Sequence, residues 1–130
     1  MNISTPVRPA PVPATNDSIA EIVAELEGTD DPFLILGGED QLRYMQALAT
    51  PTGFVLDFQE GSVDQHYRSK WEDLSAQEIS DAFRQYLAWG GKGRPAIEYE
   101  RIELRRASYR VGFSFGSIVG RLVRLFRGGR

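Results

Sequence analysis

The sequence predicts an α+β fold: an antiparallel sheet of four to six strands, covered on one face by two helices. Three observations predict it. From Phe33 to Arg68 the chain breaks into short apolar runs separated by Gly and Pro turn signals, the pattern of antiparallel strands. Two segments flanking that stretch carry apolar residues at helical spacing, each opened by a capping residue. Finally, 130 residues with 42% apolar and 25% charged content make one ordinary domain, able to bury a core without disulfides.

The elements follow in order. Residues 1–15 hold Pro6, Pro9, Pro11 and Pro13, which fix φ and remove backbone donors, so a disordered Pro-rich leader is expected. Asn16, Asp17 or Ser18 caps a first helix, Ile19 to Leu26, ended by Gly28. Ile19, Ile22, Val23 and Leu26 form its buried stripe. Three strands come next, Phe33–Leu36, Leu42–Leu48 and Phe54–Gln59. In the third, alternation puts Phe54, Leu56 and Phe58 on one face and Val55, Asp57 and Gln59 on a more polar, wetter one. Gln65–Arg68 makes a short fourth strand. Ser75-Ala76-Gln77-Glu78 is a capping box opening a helix to about Trp89, with Ile79, Ala82, Phe83, Tyr86 and Leu87 inward and Gly90-Gly91 after its end. Ile97 to Leu104 reads as a last strand. The domain is thus expected over residues 16–104.

Residues 105–130 form an Arg-rich tail. Ala107–Phe115 alternates like an edge strand, and Ile118, Val119, Leu122, Val123, Leu125 and Phe126 line one side of a short basic amphipathic helix. The net charge of −3 hides a division. Up to Leu104 there are eighteen acidic and eight basic residues, a balance of −10; beyond it lie seven arginines and no acid. An asymmetry of this size points to partners or to neutralisation within the chain. The tail is expected to be dispensable for folding and to dock on its own domain, with membrane contact ranked below that.

Composition excludes several classes. Without cysteine there is no disulfide framework and no thiolate metal site. A cytoplasmic protein is expected, since no charged n-region with an apolar stretch opens the chain. Gly37-Gly38 and Gly90-Gly91-Lys92-Gly93 do not match a phosphate loop, and the latter follows a helix instead of opening one. With no metal-ligand spacing either, no cofactor, metal or nucleic acid is expected. His66 is the single histidine, so every histidine-based mechanism depends on it; a sheet-rim histidine with a local hydrogen bond is the expectation. Asp57, Glu60 and Asp64 cluster after the third strand and read as a solvated acidic rim, not as an acid–base pair. Trp71 and Trp89 flank the long helix, either as clamps to the sheet or as partner anchors.

Several pieces resemble one known pattern: Phe33-Leu34-Ile35-Leu36, Met45-Gln46, Phe54 to Ser62, His66-Tyr67-Arg68, and Ala82 to Leu87. Together, across about residues 18–104, they are similar to the small immunity proteins of bacterial polymorphic toxin systems, and among these to the first-catalogued immunity family. The resemblance implies a non-enzymatic inhibitor that binds a cognate toxin or effector domain and blocks it, with no catalytic residues to carry over. The acidic balance suits a partner with a basic surface. Glu39, Asp40, Asp57, Glu60, Asp64 and Trp71 are the expected partner-binding residues. The alternatives from other classes are an effector chaperone or adaptor docking through the tail, a peripheral membrane protein anchored by it, and a small hydrolase using Asp57, Glu60 or His66.

Overall fold

Among the described residues seven strands make one sheet, and each neighbouring pair is antiparallel. The computed structural model describes residues 1–27 and 32–103. In chain order these form β1 (Asn2–Ser4), β2 (Val12–Pro13), α1 (Asn16–Leu26), β3 (Phe33–Gly37), β4 (Arg43–Thr50), β5 (Gly53–Glu60), β6 (His66–Ser69), α2 (Ala76–Ala88) and β7 (Tyr99–Ile102). The sheet order is β2-β1-β3-β4-β5-β6-β7. Five strands, β3 to β7, therefore sit beside their neighbours in sequence. The α+β class with an antiparallel sheet and two helices is as the sequence predicts; the strand count is higher.

The extra strands come from the segment expected to be a disordered leader. Asn2 and Ile3 pair with Gly37 and Leu36 on one side and with Pro13 and Val12 on the other. Proline governs where this is possible. None falls in β1, which needs donors on both edges, while Pro13 lies in β2 at the sheet's outer edge, where a missing N–H costs nothing. Ile3 is fully buried and joins the core. Arg8, in the intervening loop, ties it to α1 through two hydrogen bonds to Glu25, at 2.5 and 2.8 Å.

Both helices lie on one face of the sheet. Their buried residues Ile19, Ile22, Leu26, Ile79 and Phe83 share a core with Leu34, Leu36, Met45, Leu56 and Phe58. Each helix opens on a reciprocal capping box, which satisfies two of its orphan amides. In α2 the box is Ser75 with Glu78, as read from the sequence. In α1 the cap is Thr15 with Ser18 at the N3 position, so the helix begins three residues earlier than expected. At the start of β5, Phe54 bridges Leu74 of the segment entering α2. The two backbones approach so closely that a Cβ on Gly53 would stand 2.6 Å from the Leu74 carbonyl oxygen.

Trp71 and Trp89, read as clamps or anchors, are 55% and 52% exposed, so neither is seated between helix and sheet. Among the described residues no helix is long and apolar enough to cross a membrane. The expected tail strand and amphipathic helix lie outside the described residues.

Candidate partner-binding site

The six residues expected to bind a partner fall in four places. Asp57 is on the sheet face away from the helices and is 2% exposed, not part of a solvated rim. Strand register explains its burial. Asp57 pairs with Arg68 and Gln59 with His66 across β5 and β6, so four polar side chains meet on one face. Arg68 donates to both Asp57 oxygens, at 2.9 and 3.1 Å. His66 is also 2% exposed, which corrects its expected place on the rim. Its Nε2 lies 3.3 Å from Asp57 Oδ2 and its Nδ1 3.1 Å from Gln59 Oε1. The Gln59 amide is oriented by donation from Nε2 to the Leu42 carbonyl at 3.0 Å, which leaves Oε1 facing the ring as an acceptor. Both ring nitrogens therefore face side-chain oxygens, which fixes the orientation of the ring between β5 and β6.

The electrostatics follow from burial and pairing. Desolvation pushes the Asp57 carboxyl up, but hydrogen bonds from His66 and Arg68, with their charges, together hold it below the ordinary 3.8. Tyr44, whose hydroxyl donates to Gln59 Oε1 at 3.3 Å, is pushed well above its ordinary range, by burial first and by the Asp57 charge second. This network has the form of a structural cluster, its members hydrogen-bonded to one another across β4, β5 and β6. Both Asp57 oxygens are engaged, Oδ1 by Arg68 and Oδ2 by Arg68 and His66.

Glu60 is likewise committed. Its two oxygens take the Arg94 guanidinium at 2.8 and 2.9 Å, and that guanidinium lies 4.6 Å from the centre of the Tyr67 ring. The pair holds Arg94 beside an aromatic group in which Phe58 stacks on Tyr67 and Tyr99 meets both edge-on. An indentation of about 140 Å³ lies there, lined in part by Met45, Tyr86, Trp89 and Pro95. That figure takes in open solvent, and the dent encloses no room of its own for a small molecule, whose sites typically span roughly 300–1,000 Å³. Among the described residues no three His, Cys, Asp or Glu side chains gather as metal ligands do.

Glu39, Asp40 and Asp64 do come together, at the end of the sheet where β3 turns into β4 and β5 into β6. The two loops are joined by a hydrogen bond from the Gly61 amide to the Leu42 carbonyl, 2.9 Å. Each loop is set by its own side chains. Asp40 Oδ1 accepts from the Leu42 amide at 2.9 Å, and Ser62 Oγ accepts from the Asp64 amide at 3.1 Å. Gly61 at φ 89° supplies the left-handed conformation the second turn needs. Arg101 of β7 donates to the Asp64 carbonyl at 2.9 Å, fixing that loop from the far side. Each loop also exposes one apolar side chain: Leu42, 47% exposed, on the first and Val63, 55% exposed, on the second.

Those two residues were not singled out from sequence. Leu42 reads as the first apolar residue of a strand and Val63 as an incidental loop residue. Only the Gly61–Leu42 bond, a tertiary fact, makes them neighbours. Trp71, the sixth expected residue, lies beyond the opposite end of β6, near the β4–β5 turn, where Thr50 Oγ1 donates to the Glu72 carbonyl. The length of β5, eight residues at about 3.3 Å each, separates the two ends. Trp71 and the acidic loops do not form one site. Compared with protein-family models, curated proteins and solved structures, the chain has no match.

Proposed function

We propose that this chain is a non-enzymatic binding protein that neutralises a cognate toxin or effector domain by direct contact, using the paired loops 38–42 and 61–65. The observation that carries this reading is a pair of loops joined by the Gly61–Leu42 bond, one exposing Leu42 with Glu39 and Asp40 and the other exposing Val63 with Asp64, each fixed by its own hydrogen bonds. An apolar centre with a polar rim is the anatomy of a protein interface. Loops ordered in advance lose less entropy on binding. The acids select a basic partner and speed its approach. The resemblance to polymorphic-toxin immunity proteins gives the partner class, and its acidic recognition surface reduces to these loops, without Asp57 or Trp71.

The test is co-expression with a toxin or effector domain encoded beside this chain's gene. The wild-type chain is expected to restore growth and to co-purify with that domain. The double variant Leu42→Asp, Val63→Asp is expected to do neither while melting like wild type. Full protection by that variant rules out the loops as the contact surface, and no protection by the wild-type chain rules out neutralisation.

A further inference from the structure

Two hydrogen-bond donors at the loop end of the sheet have no acceptor within the fold. The first is the hydroxyl of Tyr86, near the end of α2 on the side turned to the core. Among the described residues no group is hydrogen-bonded to it. Its oxygen still reaches solvent, because the one sealed side-chain nitrogen or oxygen without a partner among the described residues is Arg84 Nε. A Cβ at Gly91 would stand 3.6 Å from this hydroxyl and 2.9 Å from Met1 Cε. Met1 Cγ in turn lies 4.0 Å from the corresponding point at Gly38, so the end of α2 meets the first of the paired loops. What borders the hydroxyl is a glycine and a flexible thioether, neither of them a partner for it.

The second donor is the Arg43 guanidinium. Arg43 opens β4 two residues before Met45 and on the same face of the sheet, and Met45 and Tyr86 line one dent. Its Nη2 lies 3.2 Å from where a Cβ on Gly61 would stand and its Cζ 3.9 Å, so the guanidinium rests against the second loop. Glu60 pairs with Arg43 across the strands, but both its oxygens are held by Arg94. Asp40 gives one oxygen to the Leu42 amide. Among the described residues no carboxylate forms an ion pair with Arg43. Burial pushes the Tyr86 hydroxyl up to about 12, and Arg43, which lowers it, is the strongest of the charges acting on it. At neutral pH the hydroxyl stays a donor.

We propose that Arg43 and the Tyr86 hydroxyl form a subsite for a carboxylate, the side chain of an Asp or Glu on the partner that the paired loops engage. The chemistry selects the group. A guanidinium and a phenol both donate, so the ligand must accept from both, and a cation without a counter-charge favours one that is anionic. Glu60 and Asp40 act on the same hydroxyl, so one negative charge is tolerated there better than the two of a phosphate. A carboxylate has a single charge and two oxygens, enough for both donors. Position selects its source. Arg43 directly follows loop 38–42 and its guanidinium lies on Gly61 of loop 61–65, while the dent beside Tyr86 encloses no room for a free small molecule. An acid offered at this one place distinguishes the true partner from other basic proteins, which the acidic loops alone do not. The identity of the occupant rests on the neutralisation reading; the binding of a carboxylate does not.

Two measurements test the two parts separately. In the first, acetate is titrated into the free full chain at constant ionic strength, with chloride as the balancing ion, while NMR follows the Arg43 Nε–H and the Tyr86 ring. Saturable shifts are expected in the wild type and none in Arg43→Gln. Tyr86→Phe is expected to bind acetate about threefold more weakly. It removes a hydroxyl with no partner in the fold, so it keeps the test sound should Arg43→Gln melt early. Inorganic phosphate near neutral pH is expected to bind less tightly than acetate. No saturation, saturation unchanged in Arg43→Gln, or tighter phosphate overturns the carboxylate subsite. In the second measurement the chain binds its cognate toxin domain. Arg43→Gln and Tyr86→Phe are each expected to raise Kd by about tenfold, through faster dissociation. The double variant is expected to lose less than the product of the two, since both donors hold one carboxylate. Wild-type affinity in both single variants overturns the partner's side chain as the occupant. A wild-type chain that binds acetate but not the domain overturns the neutralisation reading and that occupant, and supports the subsite.

Discussion

A carboxylate 2% exposed persists only if its charge and its lone pairs are both met, and Asp57 meets the two conditions with residues of one neighbouring strand. Removing it takes from the Arg68 guanidinium and the His66 ring the buried carboxylate they share. Asp57→Ala is therefore expected to destabilise the fold by about 3–5 kcal/mol, read as a shift in urea midpoint at pH 7. The sign of the pH dependence is fixed as well. Because the folded-state carboxyl lies below its ordinary value, the stability it gives is complete above the unfolded carboxylate range. That stability is lost as pH falls below about 4 toward the folded value. The gap between wild type and Asp57→Ala is accordingly expected to narrow when the same unfolding curves are taken at pH 3, and a constant gap contradicts a depressed carboxyl. Sequence alternation does place Asp57 with Val55 and Gln59 on the face away from the helices. What it misses is burial. A polar residue reads as solvated until its partners are known, and these come from a register across β5 and β6 that no local signal states.

At the scale of elements, side-chain period and capping chemistry carry most of the information. Ser75, Glu78 and the apolar positions of α2 are all legible, because an N-cap and a 3.6-residue stripe are local. Ser75→Ala is expected to cost about 1 kcal/mol, measured by chemical denaturation, since two amides at the helix start lose their reciprocal partner. Leu56 and Phe83 are both fully buried and belong to the core between β5 and α2. Truncating either to Ala is expected to cost about 2–5 kcal/mol, and two wild-type melting curves would show the assigned faces to be wrong. The first fifteen residues form strands where composition predicts a disordered leader. Four prolines dominate the composition of that segment, but they occupy the loop and the edge strand, and the three-residue strand between its neighbours has none. A strand that short has too few positions for alternation to register, and Ile3 is its one core residue. Its existence depends on β3 being there to pair with.

For the whole molecule, function rests on where the charges are, and this was legible as a total but not as a surface. The excess of acids before Leu104 is plain in the sequence. Folding then spends part of it: Asp57 on His66 and Arg68, Glu60 on Arg94, Glu25 on Arg8. Glu39 and Asp64 keep their carboxylates in water on the paired loops, and Asp40 uses one oxygen to hold its turn. This decides which substitutions test the interface cleanly. Asp40→Lys breaks the bond to the Leu42 amide and confounds folding with binding, whereas Glu39→Lys with Asp64→Lys reverses charge and leaves the turns intact. The double variant is expected to melt within about 0.5 kcal/mol of wild type, as surface changes do. Binding to the cognate toxin domain is expected to slow by about tenfold in association rate at low salt, with dissociation little changed, because charges at a rim act on encounter more than on the docked state. The difference is expected to shrink above physiological ionic strength, where the Debye length drops below about 8 Å. Stopped-flow or surface-based kinetics at two salt concentrations separates these effects. An association rate that stays at the wild-type value at low salt excludes the acidic loops as the surface that meets the partner.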